Sequence, residues 1–325
     1  MRWMIWVVAI LAMLWGGYWV VGSTALERAA VQWFADQPAQ GREASYSALT
    51  VEGFPSRFDM TITDPRLADP ATGFGWDAPF VQLLTLSYTP WHMIAALPNS
   101  QSFRTPAGTI TLQSDKMQAS VIVTPGPRLA LDRTTLLGTG LAASGPGWSL
   151  AARELRLATR IDASGPNAHQ IGVEVLDLTP DTALSAALTE ASPLPALIGR
   201  LRLDATARLT TPLDRFATDI QATEITVKDA SIVWGDLSGT ASGKLVAGAG
   251  GRAEGRIDLR LQNWRLLIPV LVATGAVTPD LAPTVENMLA ALAGDDPANL
   301  QVPLTFAKGR ISLGPLPVGI APMMR

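Results

Sequence analysis

Strict alternation of apolar and polar residues is the feature of this sequence that most constrains its fold. In RLRLDATARL, residues 200–209, apolar residues such as Leu201 alternate with polar ones such as Arg202. Successive side chains on a β-strand point to opposite faces, so this stretch predicts a strand with one apolar and one charged face. The same polarity recurs at 153–162 and 253–262. The chain is therefore expected to be built mainly from strands that each bury one face.

Short alternating runs separated by turn residues predict strands from Pro38 onward. Helical periodicity is found at 179–191, 263–275 and 278–294, and one short helical turn is predicted at 90–97. The predicted fold class is mainly β with a few α-helices. We expect an N-terminal transmembrane helix followed by an extended, curved, mostly antiparallel sheet with about three packed helices. The predicted strands are 57–63, 80–88, 108–113, 117–123, 153–162, 169–178, 200–209, 218–228, 230–246, 253–262, 300–306 and 310–314.

The N-terminus carries an uncharged apolar run, WMIWVVAILAMLWGGYWVV, at 3–21. A helix of this length, at about 1.5 Å per residue, extends roughly 28 Å, close to the ~30 Å hydrocarbon thickness of a bilayer. Trp15, Tyr18 and Trp19 stand where an interfacial aromatic belt is expected. The run therefore predicts a membrane anchor.

A cleaved signal peptide is the competing interpretation, with Ser23 and Ala25 as its cleavage site. Signal peptides have an apolar part of about 7–15 residues, and this run is longer and more aromatic, which favours the uncut anchor. Arg2 precedes the run and acidic residues follow it, so we expect a cytoplasmic N-terminus and the bulk of the chain across the membrane. The predicted organisation is an anchor at 1–24, a helical continuation at 25–37, and two β-rich halves at 38–192 and 193–325.

Composition excludes several classes of function. The 325 residues carry a net charge of −3 without a Lys- or Arg-rich run, so the electrostatic footprint of a nucleic-acid-binding protein is missing. Cysteine is absent, and only His92 and His169 supply imidazole groups. Disulfides, thiolate metal sites and multi-histidine metal sites are therefore excluded. We expect neither a metal nor a cofactor.

Catalytic motifs are represented only by near misses, so we expect no enzyme activity. SGTASGK, at 238–244, departs from the phosphate-loop pattern, and the alternation around it predicts a strand. Asp295 and Asp296 follow a predicted helix, which is typical of a solvated loop rather than of an acid–base pair. His92 has no acidic cluster beside it and is expected to be an interfacial or packed histidine. His169 stands at the start of a predicted strand and is expected to be exposed.

The apolar strand faces must be covered, because each leucine or isoleucine left in water forgoes about 1.5–3 kcal/mol. Ten of them would forgo on the order of 15–30 kcal/mol, more than the net stability of a typical domain. The cover is either a facing sheet or packed helices, as in an ordinary sandwich, or an acyl chain in a trough of the sheet. Because few helices are predicted, a bound acyl chain remains an alternative to a cover made of protein. The candidate ligand-binding residues are Leu155, Leu157, Leu201, Leu203, Leu209, Ile257, Leu259 and Leu261.

Three stretches carry a family resemblance: VEGFPSRFDMTITDPRL at 51–67, WDAPFVQLLTLSYTPWHMIAALPNSQ at 76–101 and VPLTFAKGRISLGPLPVG at 302–319. They resemble the bacterial family called domain of unknown function 2125, over most of the chain and without catalytic residues to carry over. VKDASIVWGDLSGTASGKLV, at 227–246, also resembles AsmA-type envelope proteins. This second resemblance implies a bent sheet with an apolar groove and a role in lipid movement or outer-membrane upkeep, although the present chain is too short to span an envelope alone.

Together, these observations predict a single-pass protein of the bacterial inner membrane whose bulk lies in the periplasm. We expect it to bind a lipid or another apolar ligand and to serve lipid transport or outer-membrane maintenance. The alternative is an envelope scaffold that binds other proteins and holds no ligand. The expected partners are the membrane, through the N-terminal helix, an apolar ligand and envelope proteins, with no nucleic acid among them.

Overall fold

A computed structural model describes residues 2–181, 193–218, 220–314 and 316–324 of the chain. It is mainly β, with 54% strand and 20% helix, and it begins with an apolar helix, so the predicted fold class is confirmed. Contacts divide the chain into two compact units. Unit 1 comprises the residues up to Pro125 together with Leu136–Gly147, and unit 2 comprises Gly126–Thr135 and the residues from Trp148 onward.

One helix, α1 (Arg2–Asp36), runs without a break through the apolar N-terminal run and beyond it. Its second half packs on the strands of unit 1, where Leu26, Ala30 and Phe34 contact buried strand residues. A 3-10 turn at Pro38–Gln40 follows the helix and leads into the first strand. The core of unit 1 therefore lies between this half of α1 and the strands.

The strands of unit 1 form two antiparallel ladders, β2–β3–β6–β7–β10 and β1–β4–β5–β8–β9–β11. The strands are β1 (Glu43–Ser45), β2 (Ala48–Glu52), β3 (Arg57–Thr63), β4 (Arg66–Asp69), β5 (Phe74–Asp77), β6 (Phe80–Leu86), β7 (Thr89–Leu97), β8 (Ser100–Thr105), β9 (Gly108–Gln113), β10 (Lys116–Val123) and β11 (Leu131–Gly145), whose first residues belong to unit 2. The helical turn predicted at 90–97 was wrong. These residues form β7, because pairing with β6 on one side and β10 on the other outweighs a short local pattern.

Unit 2 is an antiparallel meander in which each strand from β12 to β20 pairs with the next one along the chain. The strands are β12 (Trp148–Ile161), β13 (Ala168–Pro180), β14 (Ile198–Leu209), β15 (Ala222–Trp234), β16 (Leu237–Ala247), β17 (Ala253–Gln262), β18 (Asn299–Ala307), β19 (Arg310–Leu313) and β20 (Leu316–Ile320). The contact-based units partition the chain differently from the predicted halves, because pairing of β13 with β14 holds the residues on both sides of position 193 in one unit.

Two helices stand between β17 and β18, where helical periodicity predicts them. A 3-10 turn leads into α2 (Leu267–Ala273), and a second leads into α3 (Ala282–Ala293). The helix predicted at 179–191 lies mostly outside the described residues. Of its first residues, Thr179 and Pro180 end β13 and Asp181 follows this strand. The described part of the chain therefore contains two of the three predicted packed helices.

The break between the predicted strands 218–228 and 230–246 was placed wrongly. The chain turns at Gly235, which has a φ of +55°, so β15 continues through Asp229 to Trp234. A β-bulge between Val227 and Ala230 explains the error. These residues are an odd number apart in sequence, and the bulge lets both face the same side, which interrupts the alternation without ending the strand.

Candidate functional site

The register of unit 2 sorts its side chains into an apolar and a charged face. On β14, Leu201 lies between Val175 of β13 and Ile232 of β15. Such a row of residues paired side by side across the strands is called a rung here. Rung 1 is Leu155, Val175, Leu201, Ile232, Gly239, Leu261 and Leu300, and rung 2 is Leu157, Val173, Leu203, Ala230, Ala241, Leu259 and Val302. The alternation in the sequence has thus been built into one continuous apolar surface.

The row between these rungs points to the other face and is mostly polar. Its members are Arg156, Glu174, Arg202, Ser231, Thr240, Arg260 and Gln301. Arg156 Nη1 lies 3.3 Å from Glu174 Oε2, and the arginine side chain is 59% exposed. Exposed ion pairs of this kind contribute about 0–1 kcal/mol each, so their main effect is to keep this face in water.

A depression of about 550 Å³ lies on the charged face. Arginine side chains border it, but their polar groups are engaged: Arg156 pairs with Glu174, and Arg160 Nε donates to Gln170 Oε1 at 2.7 Å. The acidic Asp204 also lines it. These features are typical of a solvated, ion-paired surface rather than of a cleft for a polar substrate.

Exposure rises along the two apolar rungs from β18 towards β12. Leu300 and Val302, on β18, are 2% and 3% exposed. Leu201 and Leu203, on β14, are half-buried. Leu157, on β12, is 36% exposed. Because these residues are all apolar and lie on one face, the rise in their exposure indicates where the cover over the sheet ends.

The cover is the helical segment between β17 and β18. Trp264, Ile268 of α2 and Leu289 of α3 form a buried cluster with Leu300 and Val302. Leu259 and Leu261 lie at the border of this cluster, partly buried. A second cluster of Leu194, Trp234 and Leu237 has Ile232 at its border. Among the described residues, Leu201 and Leu203 belong to neither cluster.

An open concavity of about 420 Å³ lies where this cover ends. Its volume falls within the range of about 300–1,000 Å³ that small-molecule sites occupy. Small residues of β15 and β16 form its floor, between leucines of β14 and of β17. We call it the apolar groove, and its apolar lining is Val173, Val175, Leu201, Leu203, Ala230, Ile232, Gly239, Ala241, Leu259 and Leu261.

The glycine in the floor makes room for a wall residue. A Cβ atom at Gly239 would lie 2.7 Å from Leu261 Cδ2 and 3.1 Å from Ile232 Cγ2. The leucine and isoleucine side chains therefore lean over the space that a larger residue would fill. Small residues on β16 thus set the depth of the apolar groove.

The structure brings four of the predicted site residues together and separates the others. Leu201, Leu203, Leu259 and Leu261 line the apolar groove. Leu155 and Leu157 continue its two rungs on β12 beyond the valines of β13. Leu209 lies at the end of β14 away from the groove lining, and Ile257 is 8% exposed and belongs to the core.

Sequence reasoning missed the floor and one wall of the apolar groove. The valines of β13 alternate visibly at 169–178 and could have been included. Ala230 lies directly after the bulge, which hides its face from a period-two pattern. Gly239 and Ala241 carry no signal alone, because a small residue on a strand is as common in a core as in a ligand site.

Both histidines lie in packed surroundings. His92 Nε2 is 2.9 Å from Ser120 Oγ on the neighbouring strand, which agrees with the expected packed position. His169 is only 3% exposed, so its predicted exposure was wrong. It is on the same face of β13 as Val173, and burial lowers its pKa below the ordinary value, while the charge of Asp132 acts in the opposite direction.

The acidic pair after α3 behaves as a loop. A hydrogen bond from Asn299 Nδ2 to Asp296 Oδ2, 2.8 Å long, lowers the pKa of Asp296, so this carboxyl group is ionised at neutral pH. A general acid needs the opposite shift. Among the described residues, no group of three or more His, Asp or Glu side chains is arranged to hold a metal ion.

Comparison with known proteins gives one match. A protein-family model described as "Uncharacterized protein conserved in bacteria (DUF2125)" matches residues 19–322, which include the apolar groove. No curated protein and no solved structure matches the chain. The second resemblance, to AsmA-type envelope proteins, therefore has no support among these matches.

Proposed function

Since the chain belongs to the uncharacterised bacterial family DUF2125, we propose that it is a membrane-anchored protein that binds a lipid, or another long apolar molecule, in the apolar groove of unit 2. Binding is passive: the hydrocarbon part of the ligand is transferred from water to the groove without a covalent step. The proposed location is the bacterial inner membrane, with the bulk of the chain in the periplasm, and the proposed role is lipid transport or outer-membrane maintenance.

The exposure gradient along the two rungs carries this proposal. Among the described residues, the helices of unit 2 bury the rungs at β18 and do not cover them at β14, so the missing cover is apolar and local. An acyl chain that lies on Leu201 and Leu203 would remove apolar surface from water. Such burial contributes about 25 cal/mol per Å² to the free energy of binding. The wall side chains are all hydrocarbon, which favours an aliphatic ligand over a polar one.

The anchor has separate support. Among the described residues, α1 is the one helix that is long and apolar enough to cross a membrane, although a signal sequence passes the same test. Ser23, in the candidate cleavage site, is 8% exposed and lies inside the continuous helix. Leu26 and Phe34 of the same helix pack in the core of unit 1. A retained anchor explains why the helix continues into the folded unit.

Photo-crosslinking of the full chain tests the ligand. The protein is reconstituted in vesicles that contain a phospholipid with a diazirine in its acyl chain, and the cross-linked peptides are mapped by mass spectrometry. We expect adducts on β14 and β17. Ala241→Phe fills the floor of the groove. With the labelled lipid at a sub-saturating fraction, it should give about tenfold fewer adducts there, because about 1.4 kcal/mol of lost binding free energy weakens the affinity tenfold.

Ser242→Phe is the matched control, because it adds the same ring one residue further along, on the charged face. It should leave the adducts on β14 and β17 unchanged. Equal loss in both variants, or no adducts on these strands in the parent protein, would contradict lipid binding in the groove. The second outcome would favour the scaffold alternative.

A further inference from the structure

Two loops of unit 1 are held against the apolar half of α1 by hydrogen bonds from its aromatic residues. Trp15 Nε1 donates to Pro55 O at 2.9 Å, and Trp19 Nε1 donates to Arg57 O at 2.7 Å. Tyr18 Oη donates to Ser87 O at 2.6 Å. The loops are the β2–β3 turn, 53–57, and the β6–β7 turn with the start of β7, 87–91, and together we call them the tip loops.

Contacts between aromatic rings also hold this part of α1 against the β2–β3 turn and the start of β3. The ring centroids of Trp19 and Phe54 are 5.5 Å apart, and those of Trp19 and Phe58 are 6.1 Å apart. A Cβ atom at Gly22 would lie 2.6 Å from Phe58 Cζ, so this glycine permits close contact between helix and strand. The depth of the tip loops is therefore set by residues 15–22 of α1.

This docking conflicts with a position of the tip loops in bulk water. If the membrane began beyond them, only residues 3–14 of the apolar run would remain to cross it. A helix of that length extends about 18 Å, well short of the ~30 Å hydrocarbon layer. When the whole run, 3–21, crosses the bilayer, its last part and the loops docked on it lie in the same leaflet.

The side chains of the tip loops suit such a position. Phe54 is 61% exposed, Tyr88 57% and Trp91 39%, so each of these aromatic side chains presents a substantial apolar surface that the protein does not cover. Exposed aromatic side chains favour the membrane–water interface. Arg57 is the one charged residue in the two loops, and its long side chain can extend towards water, where it pairs with Asp59.

Several backbone groups in the tip loops have hydrogen-bond partners within the protein, which lowers the cost of an environment poor in water. Pro55 and Pro90 carry no N–H group. Arg57 N donates to Gly53 O, and Ser87 N donates to Ser56 O, both at 2.9 Å. The carbonyl groups of Pro55, Arg57 and Ser87 accept the three hydrogen bonds from α1. Lipid offers no partners for backbone polar groups, so pairing of this kind is what insertion requires.

We propose that the tip loops insert into the lipid bilayer, in the leaflet that holds the C-terminal end of the apolar run. The partner of this surface is the lipid membrane itself. Unit 1 then sits partly in the membrane, rather than hanging from it on a flexible tether. The inference rests on the proposed membrane anchoring and is independent of any ligand in unit 2.

The natural absence of cysteine allows a direct test on the full chain. Phe54→Cys is labelled with an environment-sensitive fluorophore and reconstituted in phosphatidylethanolamine–phosphatidylglycerol vesicles that contain a nitroxide-labelled phospholipid. We expect a blue-shifted emission and strong quenching by the lipid nitroxide. Tyr88→Cys, in the second loop, should behave in the same way.

Phe74→Cys is the matched control, because Phe74 is 57% exposed in the same unit. It lines a cavity with Trp33, which lies about 21 Å further along α1 than Trp19. Its label should emit as in water and escape quenching. Flotation with the vesicles in a density gradient measures the anchoring separately. If the protein floats but the labels at positions 54 and 88 behave like the label at position 74, the insertion of the tip loops is overturned and the anchoring stands. Protein that does not float overturns both the anchoring and the inference.

Discussion

Residues with the same local pattern end in different environments in this protein. Leu203 and Ile257 both occupy apolar positions of alternating strands, and the sequence gives no reason to separate them. Ile257 is 8% exposed, whereas Leu203 lines the open groove. Alternation determines which face a side chain takes, but the exposure of that side chain depends on what packs against the face.

His169 provides a prediction at this scale. Burial lowers its folded-state pKa below the unfolded value of about 6.5. The unfolded chain therefore binds the proton more readily, and the folded state loses stability as the pH falls below about 6.5. We expect His169→Gln to lessen the loss of stability between pH 7.5 and pH 5.5, measured by urea unfolding at each pH. An unchanged pH dependence in the variant would refute this role for the buried imidazole.

At the scale of elements, local patterns place most strands of unit 2 and the two helices after β17. They fail where pairing or packing outweighs local preference, as in β7. They fail again in β15, where a bulge at 227–230 shifts the phase of the alternation. In the candidate site, the same patterns identify the leucines of β14 and β17 but not the floor, since alanine and glycine reveal their role only beside their neighbours.

Helix α3 permits a test of the cover over the sheet. Leu289 is 8% exposed and packs in the cluster with Trp264, whereas Leu292, on the same helix, is 38% exposed. Leu289→Ala should lower the free energy of unfolding by about 2–5 kcal/mol, because it removes buried contacts and leaves a cavity. Leu292→Ala should cost under about 1 kcal/mol. Denaturant midpoints of both variants check this, and equal losses would mean that α3 does not cover the sheet as described.

At the scale of the whole molecule, α1 belongs to the apolar N-terminal run and to the core of unit 1 at once. Its first part is exposed and apolar, and its second part contributes Phe34 to a buried cluster. A segment that was removed on export would take Trp15 and Trp19 with it, together with their hydrogen bonds to unit 1. The proposed retention of the helix would account for both properties.

Retention of the anchor has a measurable consequence. We expect the protein isolated from bacterial membranes to have the mass of the full chain, 34.4 kDa, and to stay with the membranes after an alkaline wash. A peptide that extends across residues 23–28 should be found by mass spectrometry. A mature N-terminus after Ala25 in most molecules would show that the helix is a cleaved signal.

The sequence by itself determined most strands of unit 2, the two faces of those strands and the apolar N-terminal helix, because periods of two and long apolar runs are local properties of a chain. Only the tertiary structure decided which leucines stay open, that small residues form the groove floor, that His169 is buried, and where the tip loops meet α1. These features depend on segments far apart in sequence. The alternation in the sequence indicates which side of an element is apolar, whereas tertiary packing alone decides how much of that side the chain itself covers.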